Sequence, residues 1–472
     1  MRTLVKKSAL MRAFAGAGFL LLAGCTVGPD FVPPEPDAGA GFGAALPDEA
    51  GARAEETLWW QGFNDDRLSG LIAEALSENY EIAAARERLL QARALVEAEA
   101  GAGGPQLDGA LTGDVASRTG GGGQNGQTEG EVGAGALFSW VPDLFGGQRR
   151  AVEAAEAESL ARALLEEDIA RLTAADVARR YTEARRDYAR LGLVNQSLEL
   201  QRETLRLVET RFEAGLTARL DVKRAEADLA ATRAQAPQLG RSAQAALHAL
   251  AVLTGERAGD FAKAGIGEGS IPAFGGGPAA GVPREMVRRR ADIRAAEAEL
   301  ARATALIGVE EADLYPLLSL PGRLSFNLAD LGSGNVAEVV VATLSATLDI
   351  PLFDAGTRRA EISAAEARAR EALLLYRQSV LDALSEVETA LVSVLSARAR
   401  QDYLSEAVAA SEDAFQQAEN LYSQGLASFT EVLDAQRSLL SNRQELAIAK
   451  SDLALAFIDL YAAAGAPTAP LK

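Results

Sequence analysis

The stretch that decides the fold is TRRAEISAAEARAREALLLYRQSVLDALSEVETALVSVLSARARQDYLSEAVAASEDAFQQAENLYSQ, residues 357–424, which contains neither glycine nor proline. Apolar side chains recur within it at alternating intervals of four and three, at Val380, Leu384, Val387, Leu391 and Val394. That spacing is typical of a coiled-coil seam. At 1.5 Å per residue the helix would extend for ~100 Å. Because a compact globule cannot bury such a helix, the sequence predicts that it packs against similar helices.

The chain repeats itself at an offset of about 210 residues. RFEAGL (211–216) matches LYSQGL (421–426), LFGGQRR (144–150) matches LFDAGTRR (352–359), and NYEIAAA (79–85) matches RADIRAA (290–296). Each half predicts a helix, two strands, a long helix, a turn and a return helix, and Gly215 and Gly425 supply the turns because glycine tolerates positive φ. We therefore place a first repeat at 67–254 and a second at 284–464, separated by a linker at 255–283.

Four segments alternate apolar and polar residues with a period of two, as strands with two unlike faces do. The pattern is strong in 318–328 and 340–350, where the even positions are apolar, and weaker in 107–112 and 131–140. Strands of about ten residues suffice to cross a membrane when tilted. The alternative is a soluble sheet with one face on a core.

The N-terminus has the layout of a signal peptide at 1–24, with four basic residues followed by the apolar run 13–23. The run ends Leu22-Ala23-Gly24-Cys25 and resembles the bacterial lipobox, in which the cysteine is acylated after cleavage. This predicts a covalent lipid on Cys25, with an ordinary signal peptide and a buried cysteine as the alternative. In bacterial lipoproteins, an Asp directly after the acylated cysteine retains the protein in the inner membrane. The residue here is Thr26, which favours the outer membrane.

The composition excludes several functions. The net charge of −19 falls to −23 when residues 1–24 and their four positive charges are removed, and such a surface repels nucleic acid. Cys25 and His248 are the single cysteine and the single histidine, so the sequence offers neither a disulfide nor a zinc site. His248 has no catalytic companion, and we expect a helix-surface residue there. The sequence predicts no enzyme activity, no cofactor and no metal.

A four-stranded sheet with two open edges cannot sit alone in hydrocarbon, because every backbone group there must be paired. Two copies would give eight strands and a barrel that side chains nearly fill, whereas three give twelve strands and an open bore. The long helices imply a wide tube, which favours the trimer.

Several motifs in order resemble the TolC-like outer-membrane factors, in the lipoprotein branch of that family. They are CTVGPDF (25–31), WW (59–60), SW…DLFG (139–146), RRADIRAAE (289–297), PLFDAG (351–356) and LDAQRSL (433–439). Ala291 stands where the family usually has proline, and Val141-Pro142 replaces a Glu-Leu pair, so local geometry at both places is open.

The resemblance implies a mainly α fold with a membrane β-barrel, in which three protomers build a coiled-coil α-barrel and a 12-stranded β-barrel. It further implies a tripartite efflux channel that works with a periplasmic adaptor and an inner-membrane pump. The lipid-anchored segment 25–66, the linker 255–283 and the tail 465–472 would lie at the equator of the tube. A periplasmic coiled-coil scaffold lipoprotein without a pore is the alternative function.

The resemblance also places a gate at the periplasmic tip. Glu431 and Asp434 are three residues apart and share a helix face, and threefold symmetry would turn them into a cation-selective ring of carboxylates. Thr430 stands at the constriction, Arg437 would bridge to a neighbouring helix, and Asp221 is a secondary candidate. An ordinary solvated helix face is the alternative. The hairpin tips expected to contact the adaptor are Gly215, Leu216, Gly425 and Leu426.

Overall fold

The computed structural model describes residues 26–36, 38–39, 41–43, 58–118, 127–261, 266, 269–275, 283–330 and 336–468. The predicted signal peptide 1–24 and Cys25 lie outside these residues, as do parts of the segments 25–66, 255–283 and 465–472. The chain forms two compact units. Unit 1 comprises Met1–Pro34, Arg88–Arg162 and Ala295–Tyr376, and unit 2 comprises Glu35–Glu87, Ala163–Arg294 and Arg377–Lys472.

Helices make up most of the described chain. After a 3₁₀ turn at Trp59–Phe63 they are α1 Asp66–Glu78, α2 Tyr80–Ala102, α3 Gly147–Glu213, α4 Arg219–Arg233, α5 Gln235–Leu253, α6 Ala258–Phe261, α7 Pro283–Arg289, α8 Ala291–Ala312, α9 Thr357–Ser423 and α10 Phe429–Ala463. None of these helices combines the length and the apolar content that a membrane span requires.

The long helix of each repeat, α3 and α9, has 67 residues. The heptad seam of α9 is buried at Val380, Val387, Leu391 and Val394, and half-buried at Leu384. Ala383 and Ala390 are buried beside this seam. The coiled-coil prediction for this helix is therefore confirmed.

The return helices of the two repeats differ. The second, α10, is continuous over 35 residues, whereas the first is divided into α4 and α5 around Ala234. Pro237 is the third residue of α5, where its missing N–H costs nothing because the first turn of a helix has no intrahelical acceptors for its donors. At the matching place 210 residues on, α10 has Ala447. The expectation of a single return helix is thus wrong for the first repeat.

Two β-hairpins join into one antiparallel sheet in unit 1. Its strands β1 Gln106–Arg118, β2 Gln127–Ser139, β4 Gly322–Asp330 and β5 Val336–Leu344 lie in the order β1-β2-β4-β5. A second, two-stranded sheet pairs β3 Leu317–Ser319 with β6 Thr347–Asp349.

The register places most of the apolar residues of the four long strands on one face. Leu111 pairs with Ala134, Ala134 with Phe326, and Phe326 with Val340, and directly paired residues of an antiparallel sheet point to the same side. The opposite face carries Thr112, and the neighbouring strands contribute Gly133, Asn327 and Val339 to that row. The even-numbered apolar pattern therefore does define a face.

The second-repeat strands are shorter than their alternation predicts. The expected strand at 318–328 is divided into β3 and β4 by Leu320-Pro321, and the strand at 340–350 is divided into β5 and β6 by Ser345-Ala346. Pro321 has no N–H for the ladder, but its carbonyl accepts a bond of 2.9 Å from the Ser345 amide. An uninterrupted strand in either place was a wrong expectation. Val141 and Pro142 follow the end of β2 and leave the ladder intact.

Candidate functional site at the helical hairpin turns

The turns that end α3 and α9 have the same geometry. Gly215 and Gly425 adopt φ of 72° and 78°, in the left-handed region that favours glycine. The amide of Leu216 donates to the Arg211 carbonyl at 2.8 Å, and the amide of Leu426 donates to the Leu421 carbonyl at 2.9 Å. Each turn is a Schellman motif, which satisfies the last carbonyls of its helix. The side chains of Leu216 and Leu426 are left 69% and 72% exposed.

Glu431 is engaged in the N-cap of α10. The Ser428 amide donates to Glu431 Oε2 at 2.6 Å, and Ser428 Oγ accepts from the Glu431 amide at 3.4 Å. This reciprocal pair is a capping box, which satisfies donors that begin a helix. The Glu431 carboxylate therefore turns back onto its own helix terminus.

The first repeat starts its return helix differently. Ala218 offers no side-chain cap to α4, and Asp221 instead accepts a bond of 2.6 Å from Thr217 Oγ1. Arg224, one turn further on, donates to Thr430 Oγ1 at 3.0 Å. Thr430 and Asp221 are thus brought together by one guanidinium, since Arg224 also lies 3.5 Å from Asp221 Oδ1.

Arg437 joins α10 to α4. Its Nε lies 2.6 Å from Asp228 Oδ1, and the Asp228 side chain is 7% exposed whereas that of Arg437 is 53% exposed. The other carboxylate oxygen of Asp228 accepts a bond of 2.8 Å from Gln201 on α3. Three helices therefore converge on one buried carboxylate.

Asp434 is the carboxylate left free at this end of α10. It is exposed, and it has no hydrogen-bond or ion-pair partner among the described residues. The shared face predicted for Glu431 and Asp434 thus holds one carboxylate bound in a cap and one open to solvent.

An apolar cluster supports the turns from behind. Its buried members come from α3, α4, α9 and α10 and are Val208, Val222, Ala225, Phe415, Tyr422, Phe429, Val432, Leu433 and Leu439. Arg211 closes the cluster, because its guanidinium lies 4.7 Å from the Tyr422 ring and donates to the Tyr422 carbonyl at 2.9 Å. Burial raises the pKa of the Tyr422 phenol above its usual value. The two hairpin ends are thus fastened to one another.

A second charged cluster, which the sequence did not predict, surrounds the C-terminal end of α10. Arg171 and Arg290 donate to the carbonyls of Ala462 and Ala463, which lie in the last turn of α10. Arg290 is also paired with Asp292 at 2.5 Å and with Glu386 at 2.6 Å. Burial alone would raise the pKa of Asp292, but the hydrogen bond from Arg290 holds that pKa below its usual value. Ala291 begins α8 between these partners, so the position where proline was expected accommodates alanine.

The structure also bears on the single histidine and on the prediction that there is no metal site. His248 lies exposed on α5. Among the described residues, no group of three or more His, Cys, Asp or Glu side chains is arranged to hold a metal ion.

Known proteins are similar to this chain in sequence and in architecture. The model of the outer membrane efflux protein family matches residues 71–256 and 282–466. The chain is 32% identical over 434 residues to nodulation protein T of Rhizobium leguminosarum bv. trifolii, which covers 91% of each chain. It is 29% identical over 458 residues to the cation efflux system protein CusC of Escherichia coli K12, which covers 94% of this chain and 97% of CusC. The structure of the outer-membrane channel OprN superposes with a TM-score of 0.85 at 33% identity and covers 94% of this chain and 99% of OprN.

The chain belongs to the outer membrane efflux protein family. Its function is that of an outer-membrane efflux channel, and its location is the outer membrane, as the TolC-like resemblance predicted. The predicted fold class, with tandem repeats of long helices and four strands, is confirmed. The alternative of a scaffold without a pore is thereby set aside.

Proposed function

We propose that the protein acts as a homotrimeric, lipid-anchored passive conduit that performs no chemistry of its own. In this proposal Cys25 carries the lipid, a periplasmic adaptor and an inner-membrane pump dock at the helical end, and the hairpin turns close the resting channel.

The observation that carries the proposal is the pair of open edges on the four-stranded sheet. β1 and β5 each pair on one side, with β2 and β4 respectively, and no other described strand covers their outer edges. One face of the sheet is apolar and solvent-exposed, with Leu111 at 88% exposure. Unpaired backbone groups are not tolerated in hydrocarbon, so β1 of one copy is expected to meet β5 of the next. Three copies give twelve strands and an open bore.

The hairpin turns support the docking of the adaptor. Leu216 and Leu426 are exposed apolar side chains held on rigid, hydrogen-bonded turns, which is the character of an anchor that inserts into a partner's pocket. Gly215 and Gly425 set the direction in which these leucines project.

The free carboxylate of Asp434 supports the gate. Three copies around the axis would present three exposed carboxylates, which favour cations and repel anions. Arg437 holds α10 against α4 through Asp228, so it stabilises the arrangement of helices in which that ring is formed. The link between Arg224 and Thr430 adds a second contact between the same two helices.

The assembly is tested by migration of outer-membrane fractions in mild detergent with and without heating. A barrel trimer should run as one slow species that heating converts to the protomer. A protomer band in both lanes, from membranes that retain channel activity, would contradict the trimer.

The gate is tested by separating the two acids of α10 in planar bilayers. Asp434→Asn should lower the preference for cations and weaken block by trivalent cations, which bind where carboxylates converge. Glu431→Gln is the matched control, because its carboxylate serves the cap, and it should leave selectivity nearly unchanged. Wild-type selectivity and block in Asp434→Asn would end the gate assignment and leave the fold untouched.

A further inference from the structure

The first described residues of the chain are clamped by a single arginine of α3. Arg150 donates from Nε to the Val27 carbonyl at 3.1 Å and from Nη2 to the Gly28 carbonyl at 3.2 Å. The same Nη2 lies 2.7 Å from Asp30 Oδ1, and Nη1 lies 2.7 Å from Glu153 Oε2. The Arg150 side chain is only 5% exposed. Four of its five donors are thus engaged, and three of the four acceptors belong to residues 27–30.

Close backbone packing completes the clamp. The Val27 amide donates to the Phe145 carbonyl at 3.0 Å. A Cβ on Gly28 would lie 2.4 Å from Gly308 Cα, and a Cβ on Gly146 would lie 2.8 Å from Thr26 Cα. Both glycines also have positive φ, 87° at Gly28 and 85° at Gly146, so these positions require glycine twice over. The segment is therefore seated in a slot that only small residues permit.

The slot lies where the strands begin and end. Phe145 follows β2 by a few residues and stacks on Tyr315, which precedes β3, with ring centroids 4.7 Å apart. Trp140, directly after β2, donates from its indole to the Gly103 carbonyl at 3.2 Å and remains partly exposed. Aromatic side chains of this kind are enriched at the boundary between membrane and water. The base of the sheet therefore has the side chains of an interfacial belt.

We infer that Arg150 is a positioning residue that fixes the acylated N-terminus at the base of the sheet, so that the lipid and the strands enter the membrane at one level. The inference rests on the proposed lipid at Cys25. One peptide bond joins Cys25 to Thr26, so the two Cα atoms are about 3.8 Å apart. Because residues 26–30 are held at the base of the sheet, a lipid on Cys25 enters the membrane close to that level.

The test is hydrogen exchange of the N-terminal peptide that contains residues 27–36, measured by mass spectrometry on the mature protein in lipid vesicles. Arg150→Gln should raise the exchange rate of the Val27 amide at least tenfold, because the loss of the clamp releases this amide from the Phe145 carbonyl that accepts its hydrogen bond. The matched control is Arg162→Gln. Arg162 lies on the same helix, and its salt bridge is made to Glu158 within α3.

A structural role alone would loosen the neighbouring elements as well. Peptides from α3 beyond residue 153 and from α8 should therefore exchange as in wild type. Arg150→Lys keeps the charge but not the fork, and we expect an intermediate rate. If Arg150→Gln fails to assemble, Arg150→Lys and Asp30→Asn are milder changes that should also raise the exchange rate of residues 27–36. Wild-type exchange of residues 27–36 in every variant that assembles would overturn the inference.

A further arm separates this inference from the lipid itself. Cys25→Ser, secreted with an ordinary cleavable signal peptide, should retain a slow exchange of residues 27–36 that Arg150→Gln abolishes. If mass spectrometry finds no lipid on the N-terminus of the otherwise unaltered protein, the proposed lipid anchor is wrong. The exchange data would still report whether Arg150 holds residues 27–30.

Discussion

The pair formed by Asp228 and Arg437 gives the sharpest prediction for the tip. Removing either partner breaks one of the contacts that join α10 to α4, and a double-mutant cycle isolates the coupling. We choose Asp228→Asn and Arg437→Gln, because the first keeps the size of the side chain, the second removes the charge but keeps a polar side chain, and the Asn carbonyl can still accept from Gln201. Each single variant should loosen the closed arrangement of the hairpins.

The magnitude follows from the unequal exposure of the two side chains. Breaking a fully buried ion pair costs about 3–5 kcal/mol, whereas an exposed pair contributes about 0–1 kcal/mol. Asp228 is buried and Arg437 is half exposed, at 7% and 53%, with a contact of 2.6 Å. We therefore expect each single substitution to cost about 2 kcal/mol, near the value for a hydrogen bond to a charged group. That corresponds to roughly a 30-fold rise in the population of the opened tip.

The assay combines single-channel conductance in planar bilayers with hydrogen exchange of the peptide covering α4. Both single variants should raise conductance and speed exchange, and the double variant should resemble either single variant. The expected coupling is at least about 1 kcal/mol. Strictly additive effects, or wild-type conductance in all three variants, would show that this pair does not hold the tip closed.

Three further predictions concern other parts of the chain. Leu111→Lys, at the centre of β1 on the apolar face, should cost ~2–4 kcal/mol of barrel stability in denaturant titrations, while Thr112→Lys on the opposite face should be mild; equal tolerance would contradict a membrane sheet. Asp292→Asn should destabilise the protein at pH 7. Because the folded pKa of Asp292 is lowered, the difference in melting temperature between the variant and the wild type should shrink as the pH falls below about 4. A difference in melting temperature that stays constant down to pH 2 would refute the role of the Asp292–Arg290 pair. Cys25→Ser should block processing at the lipobox, which mass spectrometry of the N-terminus detects, and an unchanged mature product would exclude lipidation.

Local periodicity predicted the long helices and the strands because both patterns arise from the residues themselves. The heptads of α9 extend over five consecutive seam positions, and the alternation in β4 and β5 survives in the register of the sheet. The interruptions were missed because single prolines decide them. Pro237 lies in the first turn of a helix and Pro321 lies between two strands, and neither disturbs the surrounding pattern of apolar residues.

The candidate site was only partly within reach of sequence reasoning. Ser428 and Glu431 have the spacing of a capping box, so the sequence alone indicates that Glu431 engages the helix terminus. The partner of Arg437 was not visible, because Asp228 is 209 residues away and no local rule joins them. Arg171 and Arg290 escaped notice for the same reason, since their acceptors are backbone carbonyls that any residue could supply.

The two arginines at the end of α10 bear on how the protein can be engineered. Arg290 and Arg171 are buried, and the carbonyls of Ala462 and Ala463 satisfy part of their hydrogen-bonding capacity. A truncation that unwinds this last turn would remove one acceptor from each of these two buried guanidinium groups. An affinity tag should therefore be appended to the tail, and the shortest stable version of the chain should retain Ala466, because the Ala466 amide donates to the Tyr461 carbonyl at 3.1 Å after the turn at Gly465, whose φ is 69°.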